Sequence, residues 1–357
     1  MVTLIWFIVI FGMVVIAHEF GHFLLAKANG IHVVEFAVGM GPNLISVKKG
    51  GTKYSLKLLP IGGACMFEGE DGLVEKDGEP SEGSFLKATV WGRISTVIAG
   101  PFFNFILAFI IAFIMVNMSD IIAIRDPVAT QVVEGGGAEA AGLKDGDVIV
   151  SINGERMRLY QEISLYMQAS YEGGDLEVVY ERAGQRYAVI LTPQYDDASG
   201  VYLIGVSNAD FIEPKGFQTF RYAWYEMRYS VKATFKSLGM LLRGRVSRQD
   251  VAGPVGIAVN VVGKTYETAK ENGWQWESLF LGMLNITLML SVNLGILNLL
   301  PIPALDGGRL VFLFVEVIRG KPIPPEKEGM VHFAGLMFFM VLMVFVFFND
   351  MVNIFSH

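Results

Sequence analysis

Three residues near the amino terminus, His18, Glu19 and His22, have the types and the spacing of a hydrolytic zinc site. On an α-helix, side chains four residues apart lie on one face, so both imidazoles can hold one zinc ion while Glu19 points at a metal-bound water as its general base. The alternative is a polar helix face that lines some other cavity. The run lies inside the apolar segment 4–26, however, and ionisable groups at the centre of a membrane helix cost about 2.5–3.5 kcal/mol each, which favours a functional site.

Composition indicates a membrane protein. Of the 357 residues, 52% are hydrophobic, and the mean hydropathy of +0.46 lies outside the range of soluble globular chains. Four apolar segments approach or exceed the roughly 20 residues that a helix needs to cross a bilayer: 4–26, 94–118, 279–300 and 331–348. The net charge of −7, without a basic stripe, argues against nucleic acid as a partner. Cys65 is the only cysteine, which excludes an internal disulfide and a cysteine zinc cluster.

Orientation follows from the lysines and arginines, because short connections rich in these residues stay on the cytoplasmic side. Basic residues follow the first span and also separate the third span from the fourth, whereas none precedes the first span or follows residue 348. We therefore predict that both termini and the long segment between the second and third spans lie outside the cytoplasm.

That long segment, 126–210, has the composition of a small soluble domain, with period-two apolar stretches and Gly-Gly and Asn-Gly turns, so we expect mixed α and β structure. Its run 141–149, Ala-Gly-Leu-Lys-Asp-Gly-Asp-Val-Ile, resembles the signature of PDZ domains. The backbone N–H groups of Gly142 and Leu143 are predicted to hold a peptide carboxylate, beside a groove between a strand edge and a helix over 160–169. A structural spacer with a degenerate groove is the alternative.

A second region that carries chemistry runs from Asn298 to Arg309, with the sequence Asn-Leu-Leu-Pro-Ile-Pro-Ala-Leu-Asp-Gly-Gly-Arg. Pro301 and Pro303 break a membrane helix and free backbone groups that are tolerated only against protein or a wet cavity. Asp306 lies just beyond this break. It is either the third protein ligand that a catalytic zinc site with two histidines requires, or a helix-capping or turn aspartate ahead of two glycines.

Depth in the membrane decides between these two roles. His18 is about 16 residues into the first span, roughly 24 Å down a core of about 30 Å and therefore near the cytoplasmic side. The third span runs in the same direction, so its distal end, with Asp306, reaches the same level. The prediction is that His18, His22 and Asp306 bind one Zn²⁺ ion and that Glu19 is the catalytic base.

The motifs above, together with four others, make the chain similar to the site-2 proteases, which are intramembrane zinc metalloproteases. The similarity is specifically to bacterial members with an extracytoplasmic PDZ domain. Residues 39–42 and 59–63 resemble the family's membrane-associated β-hairpin region, 100–104 its second-helix motif, and 253–257 the segment ahead of its third helix. The sequence departs from the family at 64–67, Ala-Cys-Met-Phe.

The resemblance implies a set of site residues. His18, His22 and Asp306 are then the zinc ligands and Glu19 the catalytic residue, whereas Asn293 and Asn298 hold the substrate backbone. It also implies a location in the bacterial cell membrane.

The expected fold is a mainly α membrane protein with four transmembrane helices, a membrane-associated β-hairpin region and one inserted α+β PDZ-like domain. Its expected parts are an N-terminal membrane part, 1–125, the PDZ-like domain, 126–210, an amphipathic linker helix region, 211–277, and a C-terminal membrane part, 278–357. Residues 33–59 are expected either to offer a strand edge to an unwound substrate or to cover the bilayer surface as an amphipathic hairpin.

The expected function is hydrolysis of peptide bonds within or near the transmembrane segments of single-span proteins, such as anti-sigma factors or signal-peptide remnants. Partners are these substrates and the lipid bilayer. One alternative is a catalytically silent membrane scaffold whose PDZ-like domain binds peptide ends. Another is a zinc carrier, which requires further metal-lining residues on several spans that the sequence does not show.

Overall fold

The computed structural model describes residues 2–69, 81–118, 124–197, 200–246 and 252–355. The chain forms two compact units, Met1–Ile111 with Val246–His357, and Ala112–Arg245. The helix that sequence analysis assigned to a separate linker region falls in the second unit. The four-part division of the chain stays a prediction.

The first unit contains the helices and strands that build the candidate site. Its elements are α1 (Val2–Ala28), β1 (Val33–Lys49), β2 (Thr52–Phe67), α2 (Val90–Asn117, whose last turns belong to the second unit), α6 (Pro254–Gly256), a π-helical stretch (Ile257–Gly263), α7 (Lys264–Glu271), α8 (Trp276–Leu299), α9 (Asp306–Arg319) and α10 (Pro325–Phe355). Four of these helices, α1, α2, α8 and α10, are long and apolar enough to cross a membrane. Each contains one of the four segments predicted from composition, to within a residue at the ends, so those predictions are confirmed.

The two long strands pair antiparallel, as the predicted β-hairpin requires, and bend into a curled sheet. Residues 33–38 of β1 pair on one side with 63–67 and on the other with 53–56, while 43–49 pair with 52–57. The bends fall at glycines with positive φ, Gly39 and Gly41 in β1 and Gly62 in β2, where a side chain would be strained. As a result, 63–67 forms an edge of the sheet.

Helix α1 is the centre of the first unit. One apolar cluster joins its carboxyl end to β1, β2, α2 and α9 through buried residues that include Ala26, Val33 and Leu310. A second cluster joins its amino end to the π-helical stretch, α7 and α8 through Phe7, Ile10 and others. Packing on several sides therefore fixes the helix that carries the histidines.

The second unit has mixed α and β structure. It contains β3 (Val128–Ala129), β4 (Gln131–Val132), α3 (Gly137–Ala140), β5 (Asp147–Ile152), β6 (Glu155–Arg156), α4 (Gln161–Ala169), β7 (Leu176–Arg182), β8 (Gln185–Leu191), β9 (Gln194–Asp196), β10 (Val201–Leu203), β11 (Val206–Ser207) and α5 (Phe217–Leu242). Its main sheet has the order β3-β5-β7-β8 with β6 paired to β5. Buried Glu162 of α4 accepts hydrogen bonds from Arg228 of α5, at 2.6 Å, and from the Arg158 N–H, at 2.8 Å, which ties α5 to this unit.

Candidate metal centre

The two histidines of α1 face the same interior point. Both side chains are buried, each 7% exposed, and their Nε2 atoms are 3.2 Å apart. This is what a spacing of four residues on one helix produces, because the second residue lies one turn above the first.

Asp306 reaches the same point from the other end of the chain. Its Oδ2 atom lies 3.1 Å from His18 Nε2 and 3.4 Å from His22 Nε2. Asp306 is the first residue of α9, and Leu305 occupies the N-cap position, so the alternative role of a capping aspartate does not describe it. Gly307 and Gly308 follow, and a Cβ at either position would overlap the backbone carbonyls of 299–302. Only glycine allows the loop to cross so closely over the start of α9.

The distances within this trio fit a zinc ion. Ligand atoms about 2.0–2.2 Å from a tetrahedral zinc ion lie about 3.3–3.5 Å from one another, close to the measured separations of 3.1, 3.2 and 3.4 Å. Apart from the two imidazoles, buried Asp306 Oδ2 has no hydrogen-bond donor within the described residues. Two neutral imidazole nitrogens and a carboxylate oxygen in mutual contact need a cation to hold them together, and nitrogen and oxygen ligands suit zinc.

Helix α2 orients both imidazoles through their second nitrogens. His22 Nδ1 lies 2.9 Å from the backbone carbonyl oxygen of Thr96, to which it donates when Nε2 binds metal. His18 Nδ1 lies 3.1 Å from the side-chain amide of fully buried Asn104. We assign the amide oxygen to this contact, because Nδ1 then carries the hydrogen and Asn104 Oδ1 otherwise has no partner among the described residues.

Close approach of α1 and α2 depends on two glycines. A Cβ at Gly21 would overlap the Ala99 carbonyl, and a Cβ at Gly100 would overlap the imidazole of His22. The motif 100–104, which sequence analysis recognised only by resemblance, therefore supports the histidines through Gly100 at one end and Asn104 at the other.

Glu19 faces the edge of the curled sheet. A Cβ at Gly63 would lie 2.8 Å from Glu19 Cγ, so the start of this edge packs directly against the Glu19 side chain. A cavity of about 480 Å³ is lined by His18, Glu19, His22, Asp306 and residues 62–67 of β2. The strand edge beside Glu19 is 63–67, because the bends in both strands turn the end of β2 toward α1. That 33–59 offers an edge to a substrate stays a prediction.

Of the two asparagines predicted to hold the substrate backbone, the structure places one on the cavity wall. Asn298 lines the cavity, and its Nδ2 lies 3.5 Å from His18 Nε2, whereas Asn293 is not among the described residues that line it. In the second unit, the Gly142 N–H donates to the Glu139 carbonyl and the Leu143 N–H to the Ala138 carbonyl. Both N–H groups are used by the turn after α3, so in this structure they are not available to a peptide carboxylate.

Two other histidines lie outside the trio. His32 Nδ1 is 2.6 Å from Glu68 Oε2, whereas His332 Nδ1 accepts a hydrogen bond from the Ala304 N–H at 3.0 Å. His332 has no ligand spacing to another histidine, so the sequence assigns it no role; its place as an ionisable residue in the apolar segment 331–348 is the one signal that could have found it. The fifth, His357, lies outside the described residues.

Comparison with known proteins decides the family. The profile of Peptidase family M50 matches residues 6–342. The chain belongs to peptidase family M50. Zinc metalloprotease RasP of Geobacillus kaustophilus is 34% identical over 429 aligned residues, covering 99% of this chain and 98% of the relative. A putative zinc metalloprotease of Clostridium acetobutylicum is 37% identical, covering 97% and 96%, and the regulator of sigma-W protease RasP of Bacillus subtilis is 34% identical, covering 99% of each.

The chain is therefore a zinc metalloprotease of the site-2 protease family and a membrane protein. The predicted family, enzyme class and zinc cofactor are confirmed. His18, His22 and Asp306, the three candidate ligands, all lie inside the matched range of 6–342.

Proposed function

We propose that this M50 protease hydrolyses peptide bonds within or near the transmembrane segments of single-span membrane proteins. The observation that carries the proposal is the convergence of His18, His22 and Asp306, with Glu19 in the same cavity, on α1 and on the helix that follows α8. Because α1, which carries the histidines, and α8, which ends shortly before Asp306, are both apolar enough to span a bilayer, the site's location supports action on bonds at membrane depth.

In the proposed reaction His18, His22 and Asp306 hold the zinc ion. Zinc, when bound, lowers the pKa of a bound water towards about 7 and polarises the substrate carbonyl. Glu19 removes the proton from the attacking water and passes it to the leaving amide nitrogen. Thr96 and Asn104 hold the two imidazoles in place.

The substrate must be extended where it is cut, since the carbonyls of a helix are already hydrogen-bonded. We assign its docking to the 63–67 edge of β2, whose backbone can pair with an unwound peptide in the same cavity. Asn298, on the cavity wall, is placed to hold the substrate backbone. Asn293 is retained as a second contact only on the family resemblance.

The proposal also includes the identity of the inserted domain, the topology and the substrate class. The inserted 126–210 segment is a PDZ-like domain that lies outside the cytoplasm with both termini, and the site is near the cytoplasmic side of the bacterial cell membrane. One relative is called a regulator of sigma-W protease, which favours a membrane-anchored anti-sigma factor as substrate.

Purified protein in nanodiscs, incubated with a panel of single-span substrates, tests the proposal. We expect cleavage near the cytoplasmic end of the substrate span, and its loss with chelator. Glu19→Gln should lower the rate about 10²–10⁴-fold with zinc content and thermal unfolding unchanged.

Cleavage only of soluble peptides would argue against a transmembrane substrate. An unchanged rate for Glu19→Gln would remove Glu19 as the base. Lys27→Gln, on the same helix but outside the cavity lining, is the matched control and should cleave at the wild-type rate.

A further inference from the structure

Helix α10 contacts the loop that delivers Asp306. The Ala304 N–H donates to His332 Nδ1 at 3.0 Å. Three residues along α10, a Cβ at Gly335 would lie 2.6 Å from Pro303, so helix and loop are in close contact. The contact lies only two residues before Asp306.

Ala304 has a backbone conformation that needs external support. Its φ of +71° is in the left-handed region, which is uncommon for a residue with a side chain. The turn nevertheless has to adopt it, because Leu305 then enters extended geometry and Asp306 begins α9. Relaxation of Ala304 toward negative φ would rotate the chain immediately ahead of the carboxylate.

The orientation of His332 suits it as a hydrogen-bond acceptor. Because Nδ1 accepts from Ala304, the ring hydrogen is on Nε2. Nε2 is buried with no hydrogen-bond partner among the described residues, and the nearest carboxylate oxygen, Glu328 Oε1, is 3.8 Å away. The ring also packs on Phe312, with centroids 5.6 Å apart. Within the part of the chain that the structure describes, the one short polar contact of this imidazole is thus the Ala304 N–H.

We propose that His332 is a positioning residue for the metal centre: its Nδ1 holds Ala304 in the left-handed conformation and so sets the Asp306 carboxylate at the two histidines. The inference rests on the proposed role of Asp306 as a ligand. His332 does not touch the metal trio, and its effect passes entirely through the loop.

Two substitutions separate the acceptor from the shape of the ring. His332→Phe keeps an aromatic ring against Phe312 but has no acceptor, whereas His332→Asn keeps an acceptor close to the position of Nδ1. The full-length protein in detergent is titrated with zinc against a chromophoric chelator, and the Co²⁺-substituted form is examined by visible absorption. We expect His332→Phe to bind zinc about 10–100-fold more weakly with an altered Co²⁺ spectrum, and His332→Asn to stay within about threefold with the wild-type spectrum.

A substitution at Ala304 tests the route through the backbone. Glycine adopts positive φ without strain, so Ala304→Gly should shrink the effect of His332→Phe on zinc affinity to about threefold. His332→Leu is a further acceptor-free variant, and it decides the matter if His332→Phe does not fold.

Wild-type zinc affinity and Co²⁺ spectrum in a folded acceptor-free variant would overturn the proposal, as would equal weakening by His332→Asn and His332→Phe. Asp306→Asn distinguishes this failure from failure of the ligand assignment. If Asp306→Asn loses zinc while His332→Phe does not, only the role of His332 is wrong. If Asp306→Asn keeps wild-type affinity, Asp306 is not a ligand.

Discussion

The two halves of the metal centre are specified in different ways. His18 and His22 meet because they lie one turn apart on a single helix, which is a local rule that any helix obeys. Asp306 meets them only through a loop with a left-handed alanine, two glycines that allow close backbone crossing, and contacts from other helices. The first half is therefore encoded by spacing, and the second by tertiary structure.

The largest effect is expected from a substitution in the helical half of the candidate metal centre, the pair His18 and His22. His22→Ala removes one of three proposed ligands, so zinc should be lost and proteolysis should fall on the order of 10⁴-fold or more. Metal analysis after gel filtration and a cleavage assay measure both. His32→Ala is the control, because His32 pairs with Glu68 outside the trio; loss of zinc there too would show that the assay reports misfolding.

The next largest effect is expected from removing a contact that holds α9, the helix of the tertiary half. Arg93 of α2 donates to Glu316 of α9, the helix that begins with Asp306. The side chain of Arg93 is 9% exposed and that of Glu316 15%. Removal of one partner should therefore approach the roughly 3–5 kcal/mol of a fully buried ion pair, because the other charge stays largely out of water, whereas loss of both is close to neutral. Arg93→Met should thus lower the denaturant midpoint strongly, and Arg93→Met with Glu316→Leu should recover most of it. Equal destabilisation by the single and double variants would contradict this account.

A smaller effect is expected from a substitution on α2, because the helical half also depends on close packing against that helix. Gly100→Ala places a methyl group against the imidazole of His22, so we expect about 10–100-fold weaker zinc binding, as for other groups that orient a ligand. Gly12→Ala on α1 meets no atom within 4 Å and should leave affinity unchanged. Zinc competition titration of both variants makes the comparison, and unaltered binding in Gly100→Ala would show that α2 gives way.

The smallest effect is expected in the second unit, at a residue that does not belong to the candidate metal centre. Burial raises the pKa of the Glu226 carboxyl to about 7, against the opposing hydrogen bond from Gln161. Because the unfolded chain releases this proton near pH 4.3, the folded unit loses stability as pH rises from there to about 7. Glu226→Gln should remove that loss and raise the melting temperature at pH 8 by roughly 2–6 °C, with little change near pH 4.

Calorimetry of the full chain at both pH values measures this effect, with exposed Glu134→Gln as control. Stabilisation of equal size at pH 4 and pH 8 would argue against titration of Glu226.

Sequence patterns predicted the parts of the molecule that follow one-dimensional rules. Apolar length gave the four spans, helical spacing paired His18 with His22, and the proline break with span direction brought Asp306 to them. Patterns did not predict which strand lies beside Glu19, because the curled sheet depends on bends and on long-range register. Nor did they predict that the N–H groups of Gly142 and Leu143 are occupied, which only the local turn geometry determines.

The outer edge of 63–67 has no strand partner among the described residues. Backbone N–H and C=O groups find no hydrogen-bond partners in hydrocarbon. Without substrate, this edge therefore has to be hydrated. If substrate docks on this edge as proposed, an unwound segment replaces the hydration with its own backbone amides, whereas a segment that stays helical has no free amides to offer. The ease with which each membrane protein unwinds is then the first basis of selection, ahead of its side chains.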